Sequence, residues 1–542
     1  QHTKFKDNVV YYTGLTSNKI NTYIELIINT IDNNNNLANV LKKIDNNFSI
    51  LIFNKIFTFA AVDHARTYPI YYSFHDKMYY FSPQADEINK NITGIIDNEQ
   101  RLAFQMSGYT TSSNTLWKNI KSLNAGTFAI FKQSETPNIT PYFIYSPWEG
   151  TNINRDYKTE LKIEIKNLIK KLIKKANGNT IIIPLSAGLD SRLVASGLKH
   201  YGYENVKCFS YGKKNNFEAK AAKKIANKLN YEWYFCEINK KVIKKFYQSK
   251  TFKDFIIKTN DGAATQGIQD VYAIYKLKKI NYIKFNDIIV NGNSGDFISG
   301  GHIPHELLEN DNFSLNEILN LHIKKHYSLW GTLLNKKNID VITKLLLKQI
   351  NELNFLKENK NYYAILEYIE FHNRQCKYVN NLQRAYDYYD QKWKLPLWDI
   401  AFMDFWAKVP LHLKLKQKLY KEVLKELNFY EVWENEYNIK FKNSSFYINI
   451  LRNIFKALHI FSSKEKWHKF ETPIFTPTTK GVKDIPLNSS TVREEFPAII
   501  RTLEKLFKEF TQFAQDSGIV IVDTKFEAFV DSDGKWELGD EI

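Results

Sequence analysis

The stretch IIIPLSAGLDSRLV, residues 181–194, constrains the fold of this chain more than any other. The unbroken run Ile181, Ile182, Ile183 suits a strand buried on both faces of a parallel sheet. A turn of small and polar residues follows at once: Ser186, Ala187, Gly188, Leu189, Asp190 and Ser191. Leu193, Val194, Ala195 and Leu198 then recur at the spacing of an amphipathic helix. The alternation continues with VKCFSYG, EAKAAKKIANKLN, WYFCEI and later DIIVNGN. Strands alternating with helices predict a parallel α/β sheet with helices on both faces. A small-residue turn between a buried strand and a helix start is where backbone N–H groups converge on an anion, so a phosphate group is the expected guest.

At 542 residues the chain is too long for one core, and composition divides it in three. Residues 1–150 hold short strand-like runs (FSILIF, FTFAAV, IYYSF, MYYFS, GTFAIF) and a helical stretch near 20–43. Residues 151–468 open with a Lys-rich amphipathic helix over 158–175, continue with the β-turn-α pattern, and become mainly helical after about 310. Residues 469–542 carry nine Lys/Arg against fourteen Asp/Glu and a single asparagine, Asn488, in a chain whose net charge is +17. So abrupt a shift predicts a segment of different origin. It contains a helical pattern and two strand-like runs, GIVIVDTKFEAFV and KWELGDEI, joined by the turn signal DSDG.

The positive charge invites a nucleic-acid reading. Lysine is spread along the chain beside Asn and Ile rather than gathered in a patch, so no nucleic-acid partner is expected. No apolar stretch approaches the roughly 18 residues that span a bilayer, and QHTKFKDNVVYYTG lacks the apolar centre of a secretion leader. The three cysteines, Cys208, Cys236 and Cys376, stand in no metal or disulfide spacing and fit a reducing cytoplasm. The Tyr- and Trp-rich stretch after 360 is read as core packing rather than as an aromatic-lined cleft.

Around the first loop the residue types suit nucleotide chemistry. Ser186, Gly188 and Ser191 can supply donors to phosphate oxygens, and Asp190 a carboxylate for Mg²⁺. A second loop, NGNSGDFISGGH (residues 291–302), follows the strand-like DIIV and contributes Asp296 among glycines. Aspartates on loops at the carboxyl ends of neighbouring parallel strands can meet at one ion. Taken singly, each piece has a plainer reading: a capped helix start, a turn at Gly300 and Gly301, a helix-dipole charge at Glu218. The ordered set is less easily accidental.

PLSAGLDS resembles the SGGLDS loop of the asparagine synthetase family of ATP pyrophosphatases, with Ala187 in place of a glycine. NGNSGDFISGGH resembles that family's SGEGADELFGGY, KLPLWD (394–399) its R-x-PFLD, and Lys421 to Lys425 its K-x-x-L-R. The likeness runs from about 158 to 430. It implies an ATP site lined by Pro184, Ser186, Ala187, Gly188, Leu189, Asp190, Ser191, Tyr211, Asn291 and Gly292. It also implies Mg²⁺ on Asp190 and Asp296, with Lys421 stabilising the pyrophosphate or the transition state. Asn293 and Phe297 stand where the family carries glutamates, so the resemblance implies adenylation without fixing aspartate as the acceptor.

Two further segments carry resemblances. VDHARTYPIYYSFHDKMYYFSP (62–83) and SGYTTSSNTLWKNIKSLNAG (107–126) are similar to the family's glutamine amidotransferase domain, which implies an αββα sandwich over residues 1–150. Such a glutaminase uses an N-terminal cysteine. Cys208 is the first cysteine here, so the domain is expected to be degenerate, as in the similar β-lactam synthetases. TPIFTPTTKG and AQDSGIVIVDTKFEAFVDSDGKWELGDEI resemble the second half of SAICAR synthetase, a purine-pathway ligase, which implies Mg²⁺ of ATP on Glu527 and Asp540, with Lys525 nearby. Half of such a domain is not expected to catalyse.

These readings converge on an ATP-dependent carbon–nitrogen ligase that joins a small-molecule carboxylate to ammonia or an amine donor through an acyl-adenylate. Its cofactors would be ATP and Mg²⁺, and its partners a separate glutaminase or a second copy of the chain. Two alternatives stay open: SAICAR synthetase activity in the tail, and a non-catalytic protein that keeps the ATP fold for binding.

Overall fold

The computed structural model describes residues 1–15, 17–133, 135–147, 155–308, 313–352 and 362–434, with two strands at 527–530 and 536–539. The N-terminal part contains β1 (His2–Phe5), β2 (Asn8–Thr13), β3 (Ser49–Phe53), β4 (Thr58–Val62), β5 (Tyr71–His75), β6 (Met78–Ser82), β7 (Lys121–Ser122), β8 (Thr127–Phe131) and β9 (Asn138–Pro141). They form two antiparallel sheets, ordered β1-β2-β3-β4-β8-β9 and β6-β5-β7.

Three apolar clusters order the layers. Ile20, Ile24, Ile27, Leu37 and Leu41, from two helices, pack on Ile50, Ile52 and Phe59 of the larger sheet. Its other face, through Ala60, Val62, Ala129 and Phe131, meets Tyr72 of the smaller sheet and Ile70 just before it. Tyr71 and Ile120, on the far side, pack on Ala85 and Ile88 of the helix Ala85–Asn91. The result is a helix–sheet–sheet–helix sandwich, each sheet packed on both faces over its central strands.

The helical stretch expected near 20–43 is two helices, Ser17–Asn29 and Asn34–Lys42. The second is started by Asn33, whose side chain accepts from the Asn36 N–H at 3.1 Å, as an asparagine cap should. Four strands of this part went unread in the sequence, β7 among them, a pair of residues too short to carry a period. β1, β2 and β9 lie at or beside the sheet edge, where half their residues face solvent.

The second part is built on β10 (Ile181–Pro184), β11 (Val206–Gly212), β12 (Glu232–Glu237), β13 (Ile288–Val290) and β14 (Lys392–Lys394), ordered β12-β11-β10-β13-β14. Every neighbouring pair is parallel. In the register, Ile181 faces Val206 on one side and Ile288 on the other. Ile181, Ile182 and Ile183 are completely buried, as a central parallel strand requires. The Lys-rich helix spans Tyr157–Ala176, turns Leu161, Ile165, Leu168, Ile169 and Leu172 to the core, and ends on Asn177 in the left-handed region (φ 48°). Trp398, Trp406, Tyr386 and Tyr420 are fully buried, in keeping with the core reading of the aromatic-rich stretch.

A second, helical core gathers Ile318, Ile323, Leu346 and Ile369. No helix among the described residues is long and apolar enough to cross a membrane. Near the C terminus, β15 (Glu527–Val530) and β16 (Trp536–Gly539) pair antiparallel, with Glu527 opposite Gly539. Lys525, Asp540 and the rest of the tail lie outside the described residues.

Candidate nucleotide-binding site

The order of the parallel sheet fixes where a ligand can sit. From β10 the chain steps outward to β11 and β12, then returns to place β13 on the opposite side of β10. Loops leaving the carboxyl ends of β10 and β13 therefore diverge and open a crevice. A cleft of ≈ 370 Å³ occupies that place. Among the residues singled out in the sequence, Pro184, Ser186, Gly188, Asp190, Ser191, Tyr211, Asn291, Gly292 and Asp296 line it. Ala187 and Leu189 do not; Ala187 is buried, and its carbonyl accepts from Arg192 Nη2 at 2.6 Å.

The first loop is held by its own serines. Ser191 Oγ accepts the Ser186 N–H at 3.1 Å, and Ser186 Oγ accepts the Gly188 N–H at 3.1 Å. Gly188 precedes the helix Leu189–His200, and no side chain caps that helix's first N–H groups. An uncapped helix start at the floor of a cleft leaves those donors, and the positive end of the helix dipole, to an anion.

The two loops touch through Asp190. Its Oδ2 accepts the Asp296 N–H at 3.0 Å, and its Oδ1 accepts the Tyr420 hydroxyl at 3.1 Å. Glycines make the approach possible: a Cβ on Gly292 would lie 2.8 Å from Ser191 N, and one on Gly295 2.3 Å from Asp190 Oδ1. Burial, with the charge of Asp296 next, pushes the Asp190 carboxyl up to about 7. Against its own desolvation, Asp296 is held below the usual carboxylate range by His302, whose Nε2 lies 2.9 Å from Asp296 Oδ2. Burial opposes the charge on His302, but the bonds to Asp296 and Glu370 prevail and raise the imidazole to about 9.

Two close carboxylates that repel one another form a hard oxygen pair suited to Mg²⁺, which completes its shell with waters and phosphate oxygens. No group of three or more metal-ligating side chains exists among the described residues, so ligands from the substrate would be needed. The donor set fits the ion on those terms.

Several cleft residues escaped the sequence reading. Asp270, buried, accepts Tyr211 OH at 2.5 Å and also the Tyr386 hydroxyl, while Asn291 Nδ2 donates to Tyr386 OH at 3.2 Å. His302 and Tyr420, which support the cleft without lining it, are missed likewise, because Glu370 reaches His302 and Tyr420 reaches Asp190 from distant parts of the chain. Lys421 is exposed; its Nζ donates to the Lys416 carbonyl at 2.8 Å, and it is not among the residues lining the cleft. Gly300, at φ 91°, packs so closely that an added Cβ would stand 2.4 Å from the Lys414 carbonyl. Gly300→Ala is therefore expected to displace the second loop, read as faster amide hydrogen exchange over 291–302 in the folded variant.

A parallel α/β domain with a phosphate-suited loop at its switch point is the class this fold and cleft define. Residues 180–428 match the asparagine synthase family model, and the chain thus carries an asparagine synthase domain. Residues 450–542 match the SAICAR synthetase model. Both are ATP-dependent ligase families, which supports an enzyme.

Curated relatives of the tail include the phosphoribosylaminoimidazole-succinocarboxamide synthases of Thermobifida fusca (strain YX), 38% identical over 82 residues, and of Bordetella petrii, 42% identical over 82 residues. Each alignment covers 14% of this chain, and 27% and 28% of those proteins respectively, so the chain spans about a quarter of their length. Among solved structures, glutamine phosphoribosylpyrophosphate (PRPP) amidotransferase from B. subtilis, complexed with ADP and GMP, is 9% identical with a TM-score of 0.18, over 46% of this chain and 75% of that one. A structure of the allosteric regulatory enzyme of purine biosynthesis is 10% identical, with the same TM-score, over 44% and 62%. At that TM-score the likeness carries no argument about this chain.

Proposed function

We propose that residues 180–428 activate a carboxylate with ATP: the carboxylate oxygen attacks the α-phosphorus, pyrophosphate leaves, and the acyl-adenylate is then opened by ammonia or an amine to give an amide and AMP. The observation that carries this reading is the convergence of the uncapped helix start after β10 and the Asp190–Asp296 pair in one cleft at the switch point. In such a site the helix start and Ser186 hold phosphate oxygens, and Pro184, Tyr211, Asn291 and Gly292 border the nucleoside. Asp190 and Asp296 would hold Mg²⁺, which when bound neutralises phosphate charge. Most of the rate would come from positioning and charge stabilisation.

No lysine or arginine lines the cleft among the described residues, while Asp190, Glu218, Asp270 and Asp296 do. Countercharge for the departing pyrophosphate must therefore be brought in. Lys421 is the proposed source, moving its ammonium off the Lys416 carbonyl. Lys421→Ala is expected to lower kcat for AMP formation about 10²-fold with little change in KM, read from steady-state kinetics. The helix–sheet–sheet–helix layers support reading residues 1–150 as an amidotransferase-like domain.

The test is product analysis of the full chain with MgATP, ammonium and a panel of carboxylic acids. AMP with pyrophosphate is the expected pair. The SAICAR synthetase match over 450–542 favours a second reading, in which ADP and phosphate appear instead. Neither pair forming with any acid would leave a binding protein.

A further inference from the structure

We propose that the N-terminal domain acts on the nucleotide cleft as a positioning element, through the segment that joins Glu370 to Arg384. The inference rests on the cleft being an ATP site. The segment begins with a π-helical stretch, Phe371–Val379, and continues as a 3₁₀ turn, Asn380–Gln383. Widened helical turns of this kind concentrate at functional sites because they realign side chains five residues apart. Here they bring Gln375 to Glu370, with Gln375 Nε2 donating to Glu370 Oε1 at 2.9 Å.

One side of the segment holds the second cleft loop. Glu370 pairs with His302, which in turn meets Asp296. Gln375 Oε1 accepts from Ser294 Oγ at 2.9 Å. That bond matters because Ser294 lies in the left-handed region (φ 73°), where an L-residue is strained and needs a partner to hold it.

The other side is fastened to the N-terminal domain. Asn373 Oδ1 accepts the Ser112 N–H at 2.8 Å, and Asn380 Nδ2 donates to the Ala65 carbonyl at 2.6 Å. Arg384 Nη2 donates to the Thr67 carbonyl at 2.6 Å. Lys377 is almost completely buried, and its Nζ donates to neutral acceptors, the Thr110 carbonyl at 2.9 Å, Thr110 Oγ1 at 3.0 Å and the Asn114 carbonyl at 3.3 Å. Burial pushes the Lys377 amine well below the ordinary lysine range, and its N–H donors are tolerated there only where acceptors are fixed in place. The N-terminal domain supplies them, and the segment passes the constraint to Ser294 and Asp296 within a few residues. Asn373 and Lys377 are thus positioning residues, neither of which lines the cleft.

The experiment compares the full-length chain with Asn373→Ala, Lys377→Met, Gln375→Leu and the Asn373→Ala/Gln375→Leu pair. Two quantities are read on folded protein: MgATP affinity by calorimetry, and amide hydrogen exchange over 291–302. The expected result is a loss of MgATP affinity of about 3- to 30-fold in each single variant, with faster exchange over the loop. The double variant should be little worse than Gln375→Leu alone, because the two side chains act in series. Unchanged affinity and exchange in folded variants, or effects that simply multiply, overturns the proposal. Should Lys377→Met not accumulate as folded chain, Asn373→Ala, which alters no charge, carries the same test. Failure of the unaltered chain to bind MgATP would instead overturn the ATP reading itself.

Discussion

Replacing Asp190 with asparagine is expected to lower AMP formation about 10²- to 10³-fold while leaving the chain folded. The amide is nearly the same size: its Oδ1 can accept the Asp296 N–H, and its Nδ2 can donate to the Tyr420 hydroxyl oxygen once that hydroxyl turns its proton away, so both loop contacts have a partner. What it removes is a negative oxygen from the Asp190–Asp296 pair, which on the proposed reading holds the metal that neutralises the phosphates. Chelation of divalent cations should abolish the same activity in the unaltered chain, and added Mg²⁺ should restore it. Chromatographic assay of AMP and pyrophosphate reads both effects. An Asp190→Asn chain that keeps full turnover would move the chemistry away from this cleft.

The largest effect on stability is expected at Lys414. Its ammonium and the Glu367 carboxylate lie 2.6 Å apart, with side-chain exposures of 0% and 3%. Lys414→Met strands Glu367 in a buried site near Glu370 and is expected to cost about 3–5 kcal/mol, read as a drop in the denaturant midpoint of the transition that unfolds this region. Adding Glu367→Leu should recover most of the loss, since two apolar side chains of similar volume replace the pair without leaving a lone charge. The backbone of the same lysine abuts Gly300, so the single variant should also weaken MgATP binding. A single variant as stable as the parent would show that the pair contributes little.

How much was legible in the sequence depends on whether a residue's neighbours were local. The runs around β3, β4, β5, β6, β8 and β10 to β13 show alternation or unbroken branched residues within one window, and each is a strand within a residue or two of its expected place. β14 is only Lys-Trp-Lys; it is a strand because β13 offers an open edge, and three residues carry no period. The two loops, Pro184 to Ser191 and Asn291 to Asp296, could be picked out because their spacing is local, although Ala187 and Leu189 of the first do not border the cleft. Tyr420 was not, although Lys421 beside it was singled out. A tyrosine on an amphipathic helix reads as core until the fold brings Asp190 to its hydroxyl. The links from His302 to Glu370, and from Asp270 to Tyr386, are likewise made only by the fold.

The place of β14 also bears on how the chain is made. β13 and β10 can pair as soon as residue 290 has been synthesised, but the strand that covers the outer edge of β13 is Lys392–Lys394, much later in the chain. During that interval an apolar parallel edge, Ile288 to Val290, has no partner of its own, and such edges recruit foreign strands. Closing so long a loop is also slow. Fragments that end before residue 392 should therefore accumulate as aggregates, whereas those that reach the helix Lys418–Leu427 should stay in solution; the pelletable fraction of stepwise truncations during cell-free synthesis would show the step.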